Sequence, residues 1–72
     1  MNKKPDTQEI RGVVVESLPG DSFKVAYQDY FIIAYLSGKV RQNHIRILVG
    51  DQVCVVVSSY DIYKGRITFR YK

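Results

Sequence analysis

From Glu9 onward the apolar residues fall into short runs with a period near two, separated by turn residues. That rhythm marks a chain of short strands. Met1 to Gln8 is polar, contains Pro5 and lacks any periodicity, so it reads as a flexible tail. Arg11 to Ser17 holds the β-branched run Val13, Val14 and Val15 and stops at Pro19, Gly20 and Asp21, a strand followed by strong turn chemistry. Ser22 to Tyr27 alternates, with Phe23, Val25 and Tyr27 on one face and Lys24 and Ala26 on the other. Gln28 and Asp29 form a weak turn before a third strand, Tyr30 to Leu36, whose apolar and aromatic run leaves its facing open.

Ser37 to Leu48 breaks the alternation, since Gly38 interrupts it and Arg41, Gln42, Asn43 and His44 are too polar for a buried strand. A loop with one helical turn is expected there. Gly50 and Asp51 mark a turn into Gln52 to Ser58, where Val53, Val55 and Val57 alternate with Cys54 and Val56. Asp61 to Gly65 reads as a loop. In the last run, Ile67, Phe69 and Tyr71 share one face and Arg66, Thr68, Arg70 and Lys72 the other. Strict alternation therefore sends Phe69 into the core and Arg70 to solvent.

Five short strands with one irregular stretch between the third and fourth predict an all-β fold. A small closed barrel is favoured because closure leaves few edges exposed in so short a chain. The five-stranded oligonucleotide-binding barrel fits best, and an SH3-like barrel fits the same periodicity. The expected organisation is a tail over 1–8 and one domain over 9–72, because 72 residues can bury only one modest core. Lys3 and Lys4 are followed by Pro5, Asp6, Thr7 and Gln8 and not by an apolar run, so no signal peptide is expected and the mature protein should start near Met1. No apolar stretch approaches the roughly 20 residues of a membrane-spanning helix. Cys54 is the only cysteine, which rules out an intramolecular disulfide and suits a reducing compartment.

Charge changes the picture more than composition does. Residues 1–37 carry four cations and five acids, a net of minus one, whereas residues 38–72 carry seven cations and two acids, a net of plus five. Clustering on that scale favours a polyanionic partner. Catalytic chemistry has little to stand on: His44 is the sole histidine, and Cys54, inside a valine-rich strand, reads as a small core residue. A zinc site would need three or four ligands, and Gly38-Lys39 lacks the upstream glycine of a phosphate-binding loop. No metal, no cofactor and no enzymatic activity are expected. The candidate RNA-binding residues are Lys39, Arg41, His44 and Arg46 in the irregular stretch and Lys64, Arg66 and Arg70 toward the end. Arginine offers phosphate oxygens a planar fork of donors and lysine a point charge. Tyr60, Tyr63 and Tyr71 supply aromatic surface for stacking or packing, with packing favoured for Tyr71.

The stretch from Ser37 to Asp51, SGKVRQNHIRILVGD, followed by Tyr60 to Arg70, YDIYKGRITFR, resembles translation initiation factor one of bacteria and plastids. Glu16 to Pro19 with Phe23 to Val25 resembles the family's first hairpin, and the likeness extends over about Ile10 to Lys72. The resemblance implies an S1-like oligonucleotide-binding barrel without enzymatic activity. It also implies a monomer that binds the small ribosomal subunit at the aminoacyl-tRNA site, touching ribosomal RNA and a neighbouring ribosomal protein. There it would block premature tRNA entry and assist the other two initiation factors, in a bacterial cytoplasm or a plastid stroma. Lys39, Arg41, Arg46, Lys64, Arg66 and Arg70 match basic positions of the family motif, and His44 falls where the family often has an aromatic. The second hairpin departs from the pattern: Tyr27 to Phe31 lacks the usual Asn-Gly turn and is about one residue shorter. The alternative function is a general single-stranded RNA binder of the cold-shock or S1 type, which depends on exposed aromatics on strands two and three. A protein-interaction barrel of the SH3 type would need an aromatic groove for proline-rich peptides.

Overall fold

The computed structural model describes residues 6–42 and 45–71. Its elements are β1 (Thr7–Leu18), β2 (Ser22–Tyr27), β3 (Tyr30–Leu36), α1 (Gly38–Gln42), β4 (Gln52–Ser58) and β5 (Asp61–Tyr71). The strands close a barrel in the order β1-β2-β3-β5-β4, with β3 and β5 parallel and the other neighbours antiparallel. The expected all-β class, the five strands and the helical turn between the third and fourth are all present.

Alternation accounts for most of the interior. Ile10, Val14, Val25, Ile32, Ala34, Val53, Val55, Val57 and Ile67 point inward and form the core with Phe23 and Ile47. Gly12, opposite Val53, is the inward residue between Ile10 and Val14, where the neighbouring Val25 side chain leaves no room for a Cβ. At Val15 the register of β1 against β2 shifts, so one long strand bends to serve both β2 and β4. The second hairpin closes on the two-residue turn Gln28-Asp29, with Gln28 at φ 54, a left-handed conformation usually left to glycine or asparagine.

Two boundaries and one side-chain facing differ from the expectation. Thr7 and Gln8, assigned to the tail, pair with Ser58 and Val57 in the β1–β4 ladder. Met1 to Pro5 lie outside the described residues. Asp61 to Gly65, expected as a loop, already belongs to β5, because Ser59 and Tyr60 alone turn the chain. The Ser58 hydroxyl accepts a hydrogen bond from the Tyr60 amide at 3.0 Å, and the Ser59 amide donates to the Asp6 carbonyl at 2.9 Å.

The third difference reverses two side chains. Cys54 pairs with Phe69 but Val55 pairs with Ile67, so Thr68 is an extra residue in β5. A bulge of this kind flips every later side chain to the other face. Phe69, expected in the core, is 54% exposed on the outer face, and Arg70, expected in solvent, shares the inner side of the ladder with Val53 at the barrel's end. Cys54 is buried as expected, but beneath the outer-face aromatics and not in the central core.

Candidate nucleic-acid interface

Parallel pairing of β3 with β5 sets two side-chain rows next to each other on the outer surface. Ile33 lies beside Lys64 and Tyr35 beside Arg66, while Ala34 and Gly65 face inward between them. Lys64 and Arg66 are exposed, and neither forms an ion pair with any described carboxylate. An open groove runs along this surface, lined by Val56, Tyr35, the hydroxyl-bearing Thr7, Ser58 and Thr68, and the two cations. Unpaired cations beside hydroxyl donors suit phosphate oxygens, and an exposed tyrosine ring suits a base.

Phe31 and Tyr35 on β3 are 52% and 50% exposed. The Lys24 ammonium lies 4.8 Å from the Phe31 ring centroid, a cation–π contact, and 3.8 Å from the Glu16 carboxylate. These rings had no assigned face in the sequence, because an apolar run gives none. The signal was present in the polar strand beside them: Lys24 and Ala26 are opposite Ile33 and Phe31, so a β2 with Lys24 outside requires Phe31 outside as well.

The remaining candidates divide. Arg41, on α1, donates to the Asp21 carboxylate at 2.9 Å with both side chains more than half exposed, a weak tie that solvent and salt can loosen. α1 itself begins where the buried Ser37 hydroxyl accepts a hydrogen bond from the Val40 amide at 3.3 Å, and the Val40 side chain is buried. Lys39 lies on the same helical turn. His44 lies outside the described residues. Arg46 is exposed and without a described carboxylate partner.

Arg70 does not join this surface. It donates to the Arg46 carbonyl at 2.7 Å and approaches the Asp51 carboxylate at 3.8 Å, and that same carboxylate oxygen accepts from the Leu48 amide at 2.8 Å. Gly50, at φ 100, donates to the Val14 carbonyl, and the Val14 amide donates to the Asp51 carbonyl. Arg70 therefore locks the segment from Arg46 to Asp51 against the barrel. It supports the backbone that carries Arg46.

The tyrosines divide too. Tyr63 packs edge-on against Tyr30 at 5.4 Å and Tyr30 against Tyr27 at 5.8 Å, covering one mouth of the barrel. Tyr60 is 84% exposed, its hydroxyl 3.1 Å from the Asp6 carboxylate. Tyr71 lies under the Arg11 guanidinium at 3.9 Å. Desolvation raises the Tyr71 phenol above its ordinary pKa; the Cys54 thiol adds to the rise and Arg11 opposes it. The ring thus stays neutral at physiological pH.

Comparison with known proteins fits this geometry. The family model for translation initiation factor 1A / IF-1 matches residues 1–72. The solution structure of translation initiation factor one from the Wolbachia endosymbiont strain TRS of Brugia malayi is 43% identical to this chain. That match covers 93% of this chain and 80% of the other, with a TM-score of 0.77. The crystal structure of YjeQ from Thermotoga maritima is 26% identical with a TM-score of 0.70, the match covering 90% of this chain and 23% of the other.

Proposed function

Since the chain belongs to the translation initiation factor 1A / IF-1 family and so acts in translation initiation, we propose that it binds the small ribosomal subunit at the aminoacyl-tRNA site through contacts with ribosomal RNA. Bound there it blocks premature tRNA entry and assists the other two initiation factors, as a monomeric, non-enzymatic protein of a bacterial cytoplasm or plastid stroma. The observation that carries this reading is the row of Lys64 and Arg66 on β5, free of described carboxylates and set beside Tyr35. Lys39, Arg41, His44 and Arg46 extend the contact from the β3–β4 connection, and a neighbouring ribosomal protein takes part of the remaining surface. Arg70 enters as the support of Arg46.

Co-sedimentation with purified small subunits at two salt concentrations tests the proposal. Neutralising several phosphates makes the logarithm of affinity fall linearly with that of salt, by about 0.7 to 0.9 per phosphate. Failure to pellet with subunits, or affinity indifferent to salt, contradicts it. A second reading, a general single-stranded RNA binder, draws on Phe31 and Tyr35 standing exposed beside Lys24. Tight binding to short unstructured oligonucleotides without ribosomes would favour it.

A further inference from the structure

The bulge at Thr68 brings two aromatics onto the face that already carries a pair of cations. On the outer face of β5 the side chains now read Lys64 and Arg66, then Thr68 at the bulge, then Phe69 and Tyr71, two cations followed by two aromatics. With strict alternation the aromatics would have been inside. Phe69 is held edge-on by Tyr71, with ring centroids 5.1 Å apart at 75°, and it sits opposite the buried Cys54. Tyr71 is in turn covered by Arg11, which has no described carboxylate partner. One side of the Phe69 ring is thus fixed by neighbours and the rest is open.

Resting on the proposed RNA-facing role of β5, we infer that Phe69 is a stacking contact for an unpaired RNA base whose backbone runs along Arg66 and Lys64. A ring already immobilised by Tyr71 and the strand loses little freedom on binding. Stacking accepts any base, because every base has a flat π face. Arg66 and Lys64 lie upstream on the same strand and Arg11 lies over the adjacent Tyr71, so cations bound the ring on both sides and phosphates can lead onto it along β5. Glu9, opposite Val56 on β1, bounds the track on the other side.

The chain contains no tryptophan, so Phe69→Trp introduces a single indole reporter at the site. In the full chain, a short oligouridylate should quench that indole saturably but only at concentrations well above those at which the protein binds small subunits, as one stacking contact without the ribosomal site requires. An abasic ribose-phosphate chain of equal length should bind at least about tenfold more weakly and leave the emission unchanged. Phe69→Leu should lower affinity for the oligouridylate and for the small subunit by about tenfold without altering the salt slope, since no phosphate contact is removed. Thermal melts of both variants check folding, and the Phe69→Trp titration decides the matter if Phe69→Leu proves unstable. Absence of quenching, equal quenching by the abasic chain, or parental affinity in a folded Phe69→Leu protein would overturn the inference. Quenching by oligouridylate in a protein that does not bind small subunits would leave the stacking contact standing and remove the ribosomal reading instead.

Discussion

Replacing Gly65 by alanine sets a general preference against a specific geometry. Inside a strand, alanine is ordinarily favoured over glycine by about 0.5 to 1 kcal/mol, because glycine loses more backbone freedom on folding. Gly65 sits where β5 meets both β3 and β4, opposite Ala34 on one side and Val57 on the other, and faces inward. A Cβ there would lie 2.6 Å from Val55 Cγ1, 2.8 Å from the Val56 carbonyl oxygen and 2.9 Å from Val57 Cγ1. The valines could shift slightly, but the carbonyl belongs to the sheet backbone and cannot turn away without moving β4. Overpacking of this kind costs about 1 to 3 kcal/mol, so the substitution should be a net loss of about 1 to 2 kcal/mol. For a domain of this size that lowers the melting temperature by roughly 5 to 15 °C. Circular dichroism melts at neutral pH would show it. Subunit binding should also weaken below the transition, since Lys64 and Arg66 flank the displaced residue. An unchanged or raised melting temperature would refute the close packing at the β3–β5–β4 junction.

Arg70→Ala should destabilise the fold by about 1 to 2 kcal/mol, because it removes a charged hydrogen bond to the Arg46 carbonyl and a partly exposed ion pair with Asp51. Its salt slope for subunit binding should stay parental; a shallower slope in a fully stable variant would return Arg70 to the RNA surface. Arg66→Ala should do the reverse, leaving the melt within about 0.5 kcal/mol of the parent while the salt slope falls by roughly one phosphate's worth. Gln28→Gly should raise stability by up to about 1 kcal/mol by relieving the left-handed backbone of the second hairpin. Thermal melts check it, and a fall would mean that the Gln28 side chain contributes more than its backbone costs.

Most of the fold was legible because a barrel strand with one buried face must alternate, and Val25, Val53, Val55 and Val57 do so without exception. The helical turn was legible from the loss of that alternation after Ser37. What alternation cannot show is a bulge, since one inserted residue leaves no mark of its own in composition. Thr68 is an ordinary strand residue, yet it decides that Phe69 lies outside and Arg70 locks the β4 approach. Lys64 and Arg66 precede the bulge, so their outward placement agrees with the pattern of the strand. The exposed rings of Phe31 and Tyr35 were hidden by an apolar run in β3 and could be assigned only through their partners on β2. The support of Arg46 by Arg70 spans 24 residues of sequence and depends on tertiary closure.

The most direct test of the proposed function is equilibrium competition on purified small subunits between this protein and a ligand of the aminoacyl-tRNA site, each carrying its own label. Mutual exclusion is expected, with the protein displaced stoichiometrically as the site ligand saturates and the site ligand displaced in the reverse titration. Simultaneous saturation of both on the same subunits would contradict the placement at that site.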